Sequence, residues 1–263
     1  MIDIHCHILP NVDDGSRSLD ESLQMAEQAL KDGIETIVAT PHTLNGIYTN
    51  SVEDVVSGVT ALQETLTAKH LDLKLHPGAD VHLCTDMVSK INNGEACTIN
   101  NTGKYILLEL PSQMIPNGVK DEIFALKLNG ITPIITHPER NAVIQHDPSV
   151  LYELVRMGAL AQITAMSLTG DFGEFIGRVS ATLLRHRLVH VIASDAHSAK
   201  DRPPVLSDAV ERAAEVLKDY ESAEHMVTDV PAAILSGRTP DVQEPVPLKR
   251  AGGIFKTAAR QMP

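Results

Sequence analysis

With 263 residues, 43% of them hydrophobic, the chain can bury a substantial core as one domain, because α/β barrels reach this length without splitting. A formal net charge of −12 argues against a nucleic-acid surface, which needs clustered Lys and Arg to neutralise phosphates, and is of the kind that bound cations would partly cancel. No stretch approaches the roughly 18 to 20 continuous apolar residues that span a bilayer, and no leader pattern precedes the first strand, so a soluble, cytoplasmic protein without membrane insertion is expected.

Short β-branched runs alternate with amphipathic stretches, the pattern of βα units around a parallel sheet. A strand over 2–6 comes first. Ser18, with Glu21 three residues on, makes a capping box for a helix over 19–32, where Leu19, Leu23, Ala26 and Leu30 line one face and Gly33 is the stop. A strand over 35–40, a helix over 52–69 and a strand over 72–76 follow. The pattern continues with strand 105–110, helix 118–129, strand 131–136, helix 148–157, strand 159–164, helix 172–186, strand 188–193 and helix 204–218. Residues 222–237 read as a small terminal helical region. From Thr239 the chain turns Pro-rich and then basic (Lys249, Arg250, Lys256, Arg260), which reads as a mobile tail in preference to a partner-binding arm. The expected architecture is a distorted (β/α)7 TIM-like barrel over 1–238 and a tail over 239–263.

Nearly every strand ends in a metal-type ligand, and strand ends in a parallel barrel open onto one face. His5-Cys6-His7 puts two imidazoles on one side of a strand and the thiol on the other. Asp13-Asp14-Gly15 follows in a turn, where Asp13 is as well explained by capping as by chemistry. Thr40-Pro41-His42 leaves the second strand and Asp80 the third. Glu109, between Leu108 and Leu110, needs a metal or a counter-charge to be stable there. His137-Pro138-Glu139-Arg140 and Ser194-Asp195-Ala196-His197 are the densest polar groups at strand exits, and Arg140 and Arg202 are suited to holding phosphate oxygens. Jointly these positions point to a site of several metals at the barrel mouth. His70, His76, His82, His146, His186, His190 and His225 lack this context. Cys6, Cys84 and Cys97 are too few and too irregularly spaced for a disulfide framework or zinc ribbon, which points to a reducing compartment and buried thiols.

In order and spacing these motifs resemble the PHP (polymerase and histidinol phosphatase) superfamily, and within it the CpsB/YwqE type of bacterial protein-tyrosine phosphatase, from residue 2 to about 237. The resemblance implies a PHP fold and a trinuclear divalent site, usually manganese, with iron, zinc or magnesium as alternatives. It further implies action on phosphotyrosine of a bacterial tyrosine kinase that controls capsule or exopolysaccharide assembly. Carried over by position, one metal takes His5, His7, Asp80 and Asp195. A second shares Asp80 and adds Glu109 and His137, and a third takes Asp14, His42 and His197. Arg140 and Arg202 match the family's phosphate-binding arginines. Asp80 departs from the family pattern, which usually has Glu there.

The chemistry expected of such a cluster is attack by a metal-activated water, with no phosphoenzyme. Cysteine-dependent tyrosine phosphatases need Arg six positions after the Cys, and here those positions are Val12, Lys90 and Gly103. The competing readings are a phosphatase of a small phosphomonoester, such as histidinol phosphate, and an inactive barrel serving as a regulatory module. The latter predicts missing ligands. Oligomeric state is left open.

Overall fold

A computed structural model describes residues 1–248. Its strands are β1 (Ile2–Cys6), β2 (Thr36–Ala39), β3 (His42–Thr43), β4 (Lys74–Pro77), β5 (Asp80–His82), β6 (Tyr105–Glu109), β7 (Thr132–Thr136), β8 (Leu160–Thr164) and β9 (Val191–Ala193). They pair in parallel as β1-β2-β4 and β3-β5-β6-β7-β8-β9. All seven expected strands are present, but two of them are broken. Pro41, which has no N–H for the ladder, separates β2 from β3, and Gly78-Ala79 separates β4 from β5. The breaks lie side by side, between the register pairs Ala39↔Pro77 and His42↔Asp80. Gly78 is required at its break, because a Cβ there would meet Val38 Cγ1 at 2.7 Å. The seven tracks return on themselves: Asp195 N–H donates to His5 O and His7 N–H to Ala196 O, both at 2.8 Å, with Cys6 bridged to Ala196.

The helices are α1 (Leu19–Lys31), α2 (Val52–Ala68), α3 (Met87–Asn92), α4 (Val119–Leu128), α5 (Ala142–His146), α6 (Ser149–Arg156), α7 (Ala165–Thr169), α8 (Glu174–Arg185), α9 (Ser207–Leu217), α10 (Tyr220–His225) and α11 (Asp229–Leu235). The six long helices stand where periodicity places them. The short α3, α5 and α7 escape it, because one or two turns carry too little pattern. At α1 the expected capping box is half formed: Ser18 accepts from Glu21 N–H at 3.2 Å, but the Glu21 carboxylate accepts from Arg17 N–H at 2.8 Å. The buried stripe of α1 is Ser22, Leu23, Met25, Ala26 and Ala29. Leu19, at the first helical position, lies ahead of that stripe and is exposed, and Leu30 is half-buried.

Side-chain alternation along the strands sorts the core into two layers. Outward positions such as Ile37, Ile106, Leu108, Ile135, Ile163 and Ile192 pack with the helices, while Val38, Leu107, Ile134, Leu160 and Val191 fill the barrel interior. Two residues further along, the inward face turns polar, giving Glu109, Thr136 and Gln162. On β1 a register shift between Asp3 and Cys6 breaks the alternation. Ile4 therefore belongs to the interior cluster and Cys6 to the outer one. The region expected over 222–237 forms α10 and α11, and Val230 and Ile234 of α11 pack on the interior cluster next to the strand starts. Apolar residues thus plug one end and polar ones line the other.

Residues 239–248, the start of the expected tail, lie back along the barrel. Pro240 is buried, Val242 and Leu248 pack against the core, and Val246 N–H donates to His186 O at 2.8 Å. The basic positions Lys249, Arg250, Lys256 and Arg260 lie outside the described residues. Among the described residues no helix is long and apolar enough to cross a membrane.

Candidate metal centre

The polar end of the barrel gathers His5, His7, Asp14, His42, Asp80, Glu109, His137, Asp195 and His197. Three overlapping groups form within it: His7, Asp14, His42 and His197; His5, His7 and Asp80; and His42, Asp80 and Glu109. Within each group the ligand atoms lie within 4.8 Å of one another. Asp80 falls in two groups. His7 and His42 are each shared as well, which the position-by-position assignment does not foresee. Asp195 and His137 stand alongside. Asp195 Oδ1 is 3.5 Å from both His5 Nε2 and His7 Nε2, and His137 Nε2 is 3.7 Å from Glu109 Oε1 and 4.0 Å from Asp80 Oδ2.

Hydrogen bonds behind the imidazoles decide which nitrogen faces the centre. His5 Nδ1 donates to Gln162 Oε1 at 3.0 Å and His7 Nδ1 to Asp13 Oδ2 at 2.6 Å. The two Nε2 atoms face each other, 3.1 Å apart and fully buried, a separation that takes a proton or a cation between them. Asp80 Oδ2 and His42 Nδ1, 3.3 Å apart, are likewise buried without a hydrogen-bond partner among the described residues. Orphaned acceptors of this kind fit divalent cations, and the mixed imidazole and carboxylate set suits transition metals.

Electrostatics agree with the geometry. Burial would raise the carboxyls of Asp80 and Asp195, but the surrounding histidines, joined at Asp195 by Arg202, hold both well below the usual carboxylate range. Burial pushes His197 down to about 2, helped by His7, and His137 down to about 4, helped by Arg140. His7 resists burial because Asp13 and Asp195 carry it up to about 10, so the centre attracts positive charge. Ligation requires ionised carboxylates and neutral imidazoles, so a cation bound at His7 would have to displace the proton that Asp13 and Asp195 hold there.

Backbone geometry sets these positions. His137 (φ 32°) and Asp195 (φ 51°) both adopt the left-handed region at strand exits, a cost on the order of 1 kcal/mol each that persists where the surroundings impose it. Gly15 lets the Asp13-Asp14 turn press onto β1, since a Cβ there would meet His7 O at 2.3 Å. Arg140 and Arg202 converge on one atom, with Arg140 Nη1 2.5 Å and Arg202 Nη2 2.6 Å from Asp195 Oδ2. Beside them a cavity of about 270 Å³ is lined by Glu109, Ser112, His137, Arg140 and Asn141 among others. A larger one, about 550 Å³, lies around Arg187, His190 and His225 and contains none of these ligands.

Four residues of the site are absent from the sequence-based set. Asp13 does not cap α1, which Ser18 does; it holds His7 and accepts His42 N–H at 2.9 Å. Gln162, a polar residue inside the apolar run of β8, holds His5. Asp3, between two isoleucines, binds Ser194 N–H at 3.0 Å and its hydroxyl at 2.5 Å, tying β1 to the exit of β9. His82, set aside for lack of context, lies with Nδ1 3.3 Å from Glu109 Oε2 because β5 and β6 pair His82 with Glu109. A polar side chain interrupting an apolar strand is the signal that marks Gln162 and Asp3.

Comparison with known proteins follows the same lines. The family model for capsular polysaccharide synthesis, CpsB/CapC, matches residues 1–236. The tyrosine-protein phosphatase YwqE of Bacillus subtilis (strain 168) is 38% identical over 252 residues, 95% of this chain and 97% of that protein. The tyrosine-protein phosphatase CpsB of Streptococcus pneumoniae is 30% identical over 242 residues, 89% of this chain and 98% of that one. A crystal structure from the work on YwqE of Bacillus subtilis and CpsB of Streptococcus pneumoniae, described as unique metal-dependent tyrosine phosphatases, superposes with a TM-score of 0.90 at 37% identity, covering 95% of this chain and 100% of that one. Histidinol phosphate phosphatase of Lactococcus lactis shares the fold alone, with a TM-score of 0.54 at 14% identity, covering 82% of this chain and 92% of that one. Through a match that spans both the barrel and its cluster of ligands, this chain belongs to the CpsB/CapC family.

Proposed function

We propose that this chain is a metal-dependent protein-tyrosine phosphatase, using three divalent cations, manganese in the cell, held by His5, His7, Asp14, His42, Asp80, Glu109, His137, Asp195 and His197. Its substrate is phosphotyrosine in the tail of a bacterial tyrosine kinase that governs capsule or exopolysaccharide assembly, met in the cytoplasm where this chain works. The observation that carries this reading is the overlap of three ligand groups beside two arginines that share one carboxylate oxygen. The named activities of YwqE and CpsB support it.

When bound, the cations supply a water nucleophile at neutral pH and charge to offset the phosphoryl oxygens. The protein's own groups do the rest. Arg140 uses only Nη1 and Arg202 only Nη2 on protein partners among the described residues, which leaves most of both forks for phosphate oxygens. Asp195 holds the two guanidiniums together. Arg140 is 35% exposed and Asp14 55%, so the mouth admits a side chain projecting from another protein. The thiols are unsuited to nucleophilic attack, because burial raises Cys6 well above its ordinary value and Cys97 to about 12.

The test is turnover of a phosphotyrosine peptide by the manganese-loaded chain, beside a phosphoserine peptide and histidinol phosphate. Preference for phosphotyrosine, abolished by chelation and restored by manganese, is expected. Preference for histidinol phosphate would replace the substrate, and full activity after exhaustive metal removal would overturn the mechanism.

A further inference from the structure

We infer that Phe172 is a positioning residue for the phosphate-binding arginines, its ring serving as a common face against which both guanidiniums are held; the inference rests on the phosphatase reading above. Arg140 comes from the 3-10 turn Pro138–Arg140 after β7, and Arg202 from the loop after β9. Both place an Nη within 2.6 Å of Asp195 Oδ2, so two like charges crowd one oxygen. Asp195 offsets only part of the repulsion, since its other oxygen faces His5 and His7. The Phe172 ring adds to that offset. Its centroid is 5.3 Å from Arg140 Cζ and 5.9 Å from Arg202 Cζ, both within the ~6 Å at which a ring face attracts a cation.

The backbone is built to put the ring there. α7 ends at Gly170 (φ +94°), Gly173 follows at φ +96°, and Gly173 N–H donates to Gly170 O at 2.8 Å, closing a four-residue turn with Asp171 and Phe172 at its corners. Asp171 N–H donates to Met166 O at 3.1 Å, and the Thr169 hydroxyl bonds to the Asp171 carboxylate, which fixes the turn to α7. A phenylalanine kept for packing would sit in the core. Phe172 belongs to neither core cluster and is half-buried under the arginines instead. It is also no part of the ligand set, so its effect is separable from metal binding.

The experiment compares Phe172→Ala, Phe172→Leu and Phe172→Tyr in the manganese-loaded full chain. It reads metal stoichiometry, kcat/KM on a phosphotyrosine peptide, and the calorimetric Kd of inorganic phosphate. Expected are unchanged stoichiometry in all three, a loss of about tenfold in kcat/KM and in phosphate affinity for both Ala and Leu, and near-complete rescue by Tyr, which restores the π face. Wild-type behaviour of Phe172→Leu would show that bulk alone suffices, and wild-type behaviour of Phe172→Ala that the ring has no role. Metal loss in Phe172→Ala and Phe172→Leu would make the role structural. Any of these three results overturns the inference. If the unmodified chain turned over no phosphotyrosine, the substrate reading alone would fail, and the phosphate Kd would still decide the role of Phe172.

Discussion

Asp13 Oδ2 accepts a hydrogen bond from His7 Nδ1 at 2.6 Å and another from the backbone N–H of His42 at 2.9 Å, so one carboxylate in a turn orients the His7 imidazole and anchors the chain that carries His42. Its other oxygen accepts Gly15 N–H at 2.9 Å, which holds the turn itself. Asp13→Ala is expected to lower metal affinity or activity by roughly 10- to 100-fold, the range for a group that fixes a ligating histidine. Asp13→Asn should recover part of the loss, since an amide oxygen still accepts from Nδ1. Metal titration of both variants checks this; wild-type affinity in Asp13→Ala would show that β1 alone orients His7.

Asp80 is fully buried; among the described residues Oδ2 has no hydrogen-bond partner but lies 3.3 Å from His42 Nδ1 and 3.6 Å from His5 Nε2, and Oδ1 accepts the Thr136 hydroxyl at 3.3 Å. Removing a carboxylate shared by two ligand groups leaves two cations under-ligated. Asp80→Ala is therefore expected to lose at least one metal and most activity. Asp80→Glu should be tolerated, the longer side chain reaching the same place. Elemental analysis beside phosphatase rates decides, and unchanged stoichiometry in Asp80→Ala would place the bridge elsewhere.

Arg140→Ala and Arg202→Ala should each leave metal content nearly intact and lower kcat/KM, because a guanidinium binds phosphate oxygens and no cation. Lys has no planar fork, so Arg140→Lys should restore only part of the activity. Loss of metal in either Ala variant would mean that the arginines serve mainly to hold Asp195.

Cys84→Ser and Cys97→Ser are expected to keep near-wild-type turnover. Burial raises both thiols, Cys97 to about 12, so neither offers thiolate at neutral pH. A variant that folds, retains metal and is inactive would revive covalent catalysis.

His190 accepts Ala161 N–H at Nδ1, 3.0 Å away, and burial lowers it to about 4. The unfolded chain takes up a proton near pH 6.5 and the folded one does not. Stability should therefore fall as pH drops from about 6.5 to about 4, by at most about 3 kcal/mol from this residue. Thermal melts over that range should show a flatter profile for His190→Asn than for the unsubstituted chain. Parallel profiles would assign the acid sensitivity to other groups.

The barrel was legible because its strands and long helices are local patterns. Ile106-Leu107-Leu108, short and bounded by turn residues, reads as a strand covered on both faces, and the Leu23, Ala26 and Leu30 spacing reads as a helix against a layer. The breaks at Pro41 and Gly78 were legible as residues but not as one event, since their alignment depends on how β2 and β4 register. Leu19 lies outside the stripe for a related reason: periodicity gives a face, while its limits depend on where the neighbouring layer begins.

The sequence by itself determined which residues can ligate and that they leave their strands at one end, since side-chain chemistry and strand polarity are properties of single segments. Tertiary structure alone decided which of these candidate ligands come together. That His7 belongs to two groups, that Gln162 and Asp13 turn two imidazoles toward one point, and that Asp195 gathers two arginines from different loops over Phe172 all depend on distances between segments far apart in the chain. Hydrogen bonds and ligation act over about 3 Å, and linear spacing cannot specify separations that fine until the closing of the barrel fixes them.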